Sequence, residues 1–502
     1  MPPTAAQAEV GPSAEPLEAV VQLRRTSRTR ARDVPGIPDV ASVLERASVS
    51  ENQPFILGPD GSYDLQLNRF LRELDGWNVR SENGRLAYCR DIMLFCRFLH
   101  ESRGGKTIWE CDGADLRAYK VVRLRTPGPH QVTVGTWNRS IAALDKWVQW
   151  SIAEELLAGE PFRYVDKTVL TPQGLKQVRV NAQHEDDPED APPEFVSMED
   201  YLLWRDVGLR GELPEGRPDP SWRGRHGERN AMFADTLVHT GMRLGEGSSL
   251  LISEVPPLHG ARVIGDVRLS AAVTKRGKRR TVYLPKRVLR ALHHYVEIER
   301  DELVQRVLSQ GGYPVLEGDL LVGRAGRHAL RLLDTGKAWS YNAIGPADRR
   351  RLLRVDGDGA VAGPLWLWLG EEGQPLRPST WQSAFRRANQ RCAKFGIPTE
   401  IHPHTLRHVY AVHMLGLLLR QTLRKLGRPE NASLARAEIR RLLIGNPMRR
   451  LQLLLGHSQE STVYTYLDVL DDAQDIVLAA LDEWDTQTAA LEQVKASAEE
   501  GA

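Results

Sequence analysis

Leu454-Leu455-Gly456-His457-Ser458, then Ser461-Thr462, then Tyr466 nine residues beyond the histidine, form the stretch on which the reading of this chain turns. Two upstream stretches carry matching chemistry. One is Thr240-Gly241-Met242-Arg243-Leu244-Gly245-Glu246 and the other is His404-Thr405-Leu406-Arg407-His408. Singly, each has an ordinary explanation. An arginine after a glycine is most often a surface residue, a histidine ahead of a helix is often a cap, and a late tyrosine is usually packing. Together they supply guanidiniums, imidazoles and a phenol. Two guanidiniums neutralise a phosphate well, because each offers a planar fork of donors that stays charged at any working pH. Donors aimed at developing charge contribute ~3–4 kcal/mol apiece. A phenol can attack phosphorus and leave again, which keeps the bond energy in a covalent link. With a pKa near 10 it needs a base or strong electrostatic help.

Working outward, the chain has 502 residues, with Lys+Arg 67 against Asp+Glu 65, a formal charge of +2, 41% hydrophobic and 26% charged residues. That composition is ordinary for a folded soluble protein, and the length calls for two or three domains. Near-neutrality argues against a polycation of the histone type but leaves room for local basic surfaces. Cys89, Cys96, Cys111 and Cys392 show no CxxC spacing, which argues against a disulfide framework or zinc knuckle and fits a reducing cytoplasm. The N-terminal MPPTAAQAEVGPSAEP does not read as a signal peptide. The longest apolar run, 411–419, contains His413 and is far short of the ~20 residues that cross a bilayer. A membrane-free, cytoplasmic protein is expected.

Residues 1–60 are rich in Pro, Ala, Ser and Arg and read as a disordered basic arm, with Arg24, Arg25, Arg28, Arg30 and Arg32 unbroken by any acid. From 61 to 165 the pattern is helical. Leu86, Cys89, Met93 and Cys96 form one stripe, Trp137, Ile141, Leu144 and Trp147 another, and Asp112 is a candidate N-cap between them. Residues 166–195, leading into an acidic, Pro-rich run, read as a linker. Residues 196–485 form the second domain. A helical stretch over 230–251 is followed by a strand, a basic turn and a strand over 262–285. Helices are predicted over 379–392, 405–426, 433–443, 447–455 and 469–484. Residues 296–375 give no clear pattern, and 486–502 is an acidic tail.

In this order the three stretches resemble the tyrosine recombinase (phage integrase) family, whose pattern is an Arg in a TGxRxxE box, a Lys on a β-turn, an HxLRH box, an LGH box and a nucleophilic Tyr. Thr274-Lys275-Arg276-Gly277-Lys278, then Val282 and Leu284-Pro285, is like the family's TKxGKxRxVxLP. Upstream, the helix with Tyr88, Phe95 and Leu99, and Thr136-Trp137-Asn138-Arg139 with Ala142-Ala143-Leu144, looks like the family's SAM-like domain. The resemblance implies a mainly α fold with a small β-sheet: an N-terminal SAM-like core-binding domain and a C-terminal catalytic domain, clamped on a DNA duplex. It implies that Arg243 and Arg407 hold the phosphate, His404 accepts the tyrosine's proton, Lys275 protonates the leaving 5′ oxygen, His457 hydrogen-bonds the phosphate, and Tyr466 attacks to give a 3′-phosphotyrosyl link. Glu246 is a plausible orienter of Arg243. Lys278, Arg279, Arg280, Arg139, Arg440 and Arg441 are candidate DNA contacts.

The same resemblance implies double-stranded recombination sites as substrate, a homotetramer on two synapsed sites, a Holliday-junction intermediate, and a bacterial, nucleoid-associated location. No cofactor or metal is called for. The histidines around His404 (His402, His408 and His413) have no Cys or carboxylate nearby to complete a zinc site. Accessory DNA-bending or directionality factors are possible partners. Tyr464 competes with Tyr466, and Lys278 with Lys275; spacing favours Tyr466, and alignment of the turn favours Lys275. The intervals 275–404 and 407–457 look longer than in minimal members, which places insertions near 296–375 and 420–446. The second is Arg-rich and reads as a phosphate-contacting element, while an apolar stripe over 476–484 suggests a partner-docking helix. The rival readings are a type IB topoisomerase-like nicking and resealing enzyme and a catalytically silent DNA-binding protein. Integration or excision of a mobile element is the expected role.

Overall fold

The computed structural model describes residues 20–27, 39–46, 49, 52–79, 81–171, 174–185, 196–258, 264–313, 321–326, 328–425, 446–457, 463 and 466. The chain divides into two compact units, Met1–Glu189 and Asp190–Ala502.

In the first unit β1 (Gln22–Arg25) pairs antiparallel with β2 (Pro54–Leu57), with α1 (Val40–Arg46) between them in sequence. The expected disordered arm is therefore partly folded. Val21 and Ile56 are buried in the unit's core, and that burial offsets an ordering cost that the Arg- and Pro-rich composition alone does not. Arg24 and Arg25 lie on β1; Arg28, Arg30 and Arg32 lie outside the described residues. Four helices follow: α2 (Leu65–Glu73), α3 (Glu82–Ser102), α4 (Gly113–Lys120) and α5 (Val134–Ala153). Asp112 caps α4 as expected, accepting from Ala114 N at 2.7 Å and Asp115 N at 3.1 Å. Trp137, Ile141, Leu144 and Trp147 of α5 are all buried. On α3 the inward face runs through Cys89, Ile92, Phe95 and Leu99, rotated slightly from the predicted stripe, so that Leu86 and Cys96 are only half-buried.

The expected linker begins too early. Residues 164–181 form a hairpin of β3 (Tyr164–Thr171) and β4 (Gly174–Asn181), in register from Tyr164↔Asn181 to Thr171↔Gly174. The β-branched residues Val165, Thr168, Val169, Val178 and Val180 suit a pleated strand. The open end is pinned to α5, because Tyr164 Oη and Asn181 Nδ2 both donate to Asp145 Oδ1, at 2.9 and 2.8 Å. The acidic, Pro-rich residues 186–195 lie outside the described residues.

The second unit opens with α6 (Met198–Trp204), α7 (Gly227–Thr240) and α8 (Leu244–Ser248). The predicted continuous helix over 230–251 is broken at Gly241, which has φ +63°. A Cβ there would meet the Tyr410 ring at 2.4 Å, so both the turn and the close approach require glycine. The predicted strand–turn–strand is β5 (Ile264–Leu269) and β6 (Arg280–Pro285), paired from Ile264↔Pro285 to Leu269↔Arg280. After α9 (Lys286–Glu297) and α10 (Glu299–Ser309) comes a five-stranded sheet, in the stretch for which the sequence offered no reading. Its strands are β7 (Leu321–Ala325), β8 (Ala329–Leu332), β9 (Ala338–Ser340), β10 (Leu352–Val355) and β11 (Val361–Pro364), with α11 (Pro346–Arg349) after β9. They lie in the order β11-β10-β7-β8-β9, and β10 is parallel to β7. The helices α12 (Pro378–Lys394), α13 (Pro403–Lys425) and α14 (Asn446–Leu455) complete the described elements. Trp381, Phe385, Ala388 and Cys392 of α12 face inward as predicted, with Trp381 stacked on Phe233 of α7 at 3.7 Å between ring centres. The predicted helices at 433–443 and 469–484 and the tail 486–502 lie outside the described residues.

Candidate active site

The α7–α8 junction, the β5–β6 turn, α13 and the end of α14 bring the three boxes and the β-turn together. The end of α7 supplies Gly241, and α8 begins just after Arg243. Glu246, one turn into α8 and almost wholly buried, folds back so that its Oε2 accepts from Arg243 N at 2.7 Å. Arg243 Nη1 approaches Glu246 Oε1 at 3.3 Å, while its side chain keeps 27% of its surface exposed. The same carboxylate receives Arg280 from β6 in bidentate fashion, at 2.7 and 2.6 Å. Burial alone would raise the Glu246 carboxyl. The hydrogen bonds and charge of Arg280, reinforced by Arg243, outweigh it and hold the group ionised, below its ordinary range.

Arg280 therefore departs from its expected role as a DNA contact. Its side chain is 6% exposed and its Nε donates to Leu454 O at 3.1 Å. Gly456, at φ +66°, lies against this side chain, where a Cβ would come within 3.0 Å of Arg280 Cδ. The strand alternation explains the direction: Arg280 shares the inward face of β6 with Val282 and Leu284, while Tyr283 points out. Arg139 is also ion-paired, but 43% of its side chain stays exposed. Its guanidinium is committed to buried Asp91 at 2.8 and 3.1 Å, joining α5 to α3. Lys275, Lys278 and Arg279 are exposed on the β5–β6 turn. Arg440, Arg441 and Tyr464 lie outside the described residues.

Arg407, on the first turn of α13, is fully buried. Its Nη1 donates to Gly241 O and its Nη2 to Leu455 O, so one side chain links the first box to the third. Burial, with Arg243 and Arg280 close by, pushes its pKa down to about 9, and it remains a cation at neutral pH. His457 follows Gly456 directly, and its backbone N donates to Gln452 O at 3.0 Å. Burial first, then the charges of Arg407, Arg243 and Arg280, hold its imidazole at about 4, so it is neutral at physiological pH. His404 is likewise lowered, by desolvation and by Arg407, Arg243 and Lys275. His408, one turn after His404, lies 4.5 Å from it between ring centres and is pushed down to about 4, mainly by burial.

Tyr466 is 3% exposed. Its ring centre is 5.6 Å from His408 and 6.5 Å from His457. Burial raises its phenol, and Arg407 and Arg243 oppose that shift. Among the described residues the site thus sets Arg243, Arg280, Arg407 and Lys275 against the carboxylate of Glu246, an arrangement suited to an anion with more than one oxygen to satisfy. Sequence reasoning gave His408 no role, although it stands within the quoted box. The signal was its spacing of four from His404, which puts both rings on one helix face.

Residues 221–417 match the family model described as the phage integrase family, and residues 67–155 match the phage integrase N-terminal SAM-like domain. The chain belongs to the tyrosine recombinase (phage integrase) family. Tyrosine recombinases are DNA breaking and rejoining enzymes, and this chain is one of them. It is 20% identical over 410 residues to the tyrosine recombinase XerD of Shewanella oneidensis, covering 81% of this chain and 92% of that one. It is 30% identical over 149 residues to the tyrosine recombinase XerC of Rhodospirillum centenum, 29% of this chain and 34% of that one. Among solved structures, the XerH site-specific recombinase in its post-cleavage complex with a palindromic difH substrate aligns with TM-score 0.43 and 16% identity, over 83% of this chain and 88% of that one. The Tn1549 transposon integrase bound to circular intermediate DNA aligns with TM-score 0.41 and 13% identity, over 79% and 94%. Among the described residues no helix of this recombinase is long and apolar enough to cross a membrane.

Proposed function

We propose that this recombinase is site-specific and breaks duplex DNA through a covalent 3′-phosphotyrosyl link on Tyr466. The observation that carries the reading is the convergence of Arg243, Arg407, His457 and Tyr466 around the Glu246–Arg280 pair. Arg243 and Arg407 neutralise the scissile phosphate as charge builds on its non-bridging oxygens, and neutral His457 donates a hydrogen bond to it. The Tyr466 oxygen attacks phosphorus as its proton passes to a neutral imidazole. His404 is that acceptor, reached directly or through His408. The P–O5′ bond breaks, and Lys275 protonates the departing oxygen to give a free 5′-hydroxyl. A 5′-hydroxyl from a second site then attacks the phosphotyrosine, returns the phenol and joins the strands. Charge neutralisation by guanidiniums and proton transfer by side chains complete this sequence without a metal.

Two rounds of exchange through a Holliday junction need two DNA sites and four protomers, so the working form is a homotetramer on synapsed DNA in the bacterial cytoplasm, with DNA-bending or directionality factors as further partners. Integration or excision of a mobile element is the proposed role. A nicked suicide duplex tests the chemistry. The native chain should form a covalent adduct that is lost in Tyr466→Phe and kept in Tyr464→Phe. The reverse pattern overturns the assignment of the nucleophile, and absence of any adduct with the native chain overturns the mechanism. Chasing the adduct with a 5′-hydroxyl strand from a second duplex separates recombinase from topoisomerase-like resealing, which rejoins only the original strand.

A further inference from the structure

Arg349, at the end of α11, has no exposed surface and makes six hydrogen bonds. Its Nε donates to Ile344 O at 3.0 Å and its Nη2 to Tyr341 O at 2.8 Å, both in the stretch between β9 and β10. Its two terminal nitrogens grip Glu254 at 2.7 and 2.8 Å. The remaining two bonds reach the catalytic elements. Nη1 donates to Ser249 O at 2.9 Å, the residue that closes α8, and Nη2 donates to Ser270 Oγ at 3.1 Å. Ser270 is buried and is the first residue after β5. From it a ladder of turns runs to the basic tip: Val273 N to Ser270 O, Thr274 N to Ala271 O, and Gly277 N to Thr274 O, at 3.2–3.3 Å. Lys275 rides on this ladder, five residues beyond Ser270 and exposed. The guanidinium thus joins the sheet-bearing stretch 299–376 to the base of the lysine turn, and also to the end of the helix that carries Glu246.

We infer that Arg349, acting through Ser270, is a positioning residue that sets where Lys275 delivers its proton. The inference rests on the proposed role of Lys275 as the acid for the 5′ oxygen. A long, exposed lysine on a turn has many orientations, and fixing the root of the turn narrows them. Misplacement of a catalytic group by ~1 Å can cost ~100-fold in rate. Arg349 has the geometry for the task because its planar fork is held on three sides before it meets the serine.

A leaving-group substitution tests this in the full-length chain. A suicide duplex with a 5′-bridging sulfur at the scissile position departs as a thiolate and needs no proton. Lys275→Ala should be slow on the oxygen substrate and recover on the sulfur substrate. Ser270→Ala and Arg349→Lys should show the same pattern in weaker form, about 10-fold to 100-fold slower than the native chain on oxygen and close to it on sulfur. Ser270→Ala removes one hydroxyl and leaves Arg349 its bonds to Glu254 and Tyr341, so it keeps the test open if Arg349→Lys fails to fold. If Lys275→Ala recovers on sulfur while Ser270→Ala runs at the native rate on oxygen, or is equally slow on both, the positioning role is overturned. If Lys275→Ala does not recover, Lys275 is not the acid, and the reading beneath the inference falls with it.

Discussion

Arg280 gives both terminal nitrogens to Glu246, and that commitment separates it from the two basic residues just before it. Lys278 and Arg279 stand exposed on the same turn, where a phosphate can reach them. Removing a phosphate contact lowers the salt slope of DNA binding by roughly one and leaves the fold untouched. Removing one partner of a buried ion pair strands the other, at about 3–5 kcal/mol. Two behaviours are therefore expected from adjacent positions. Lys278→Gln and Arg279→Gln should each flatten the plot of log affinity against log salt and leave the denaturation midpoint near native. Arg280→Gln should lower the midpoint strongly, because Glu246 keeps only the Arg243 bonds, and should slow cleavage on DNA at saturating protein. Equal salt slopes and equal midpoints for all three variants would show that Arg280 is another surface cation.

The helix α13 carries His404, His408 and His413, and burial is the leading cause that lowers each of them. His408 and His413 are held at about 4, as is His457 just after α14, against an unfolded value near 6.5. The sign follows from proton counting. Between pH 6.5 and 4 the unfolded chain binds protons that the folded chain refuses, so stability is full above 6.5 and falls on acidification to about 4. Each such histidine adds a slope of up to ~1.4 kcal/mol per pH unit in that window. Melting followed from pH 7 to 4.5 should show the loss, and His413→Gln should make it shallower. A native-like slope in that variant would place the acid sensitivity elsewhere. The helices were largely legible in the sequence. In α5 and α12 the large apolar residues recur at three and four, and the buried faces are the ones those intervals name. The sheet was not, because its strands are three to five residues long, too short to establish a period of two, and Gly323 and Gly363 interrupt them. The residues proposed for the chemistry were named from the sequence because their boxes resemble the family's pattern. Their wiring was not legible there, since Glu246 meets Arg280 34 positions away and Arg349 meets Glu254 across 95. The inward turn of Arg280 was within reach of strand alternation, but its charge was read as a surface signal.

Across the whole chain the +2 is a cancellation: residues 262–290 hold ten Lys/Arg and one Asp, while 184–200 hold eight acids and no Lys or Arg. The acidic run falls where the chain divides, at Glu189 and Asp190, and separate apolar cores lie on either side. One is built around Phe70, Phe95 and Trp137, the other around Phe233, Trp366 and Trp381. An acidic, Pro-rich segment has little apolar surface to bury, so each unit's stability comes from its own core. A protease site introduced between 189 and 190 should therefore release two fragments that each melt cooperatively. The fragment 190–502 holds every residue proposed for the chemistry, so it should still form the Tyr466 adduct, but from a weaker complex with a shallower salt slope, because the SAM-like unit, expected from the family resemblance to grip DNA, is gone. Adding fragment 1–189 in trans should restore binding only at high concentration, because the covalent connection otherwise makes the second binding event intramolecular. A fragment 190–502 that aggregates when released, or that keeps the full salt slope of the intact chain, would mean that the two units do not act as independent DNA-binding bodies.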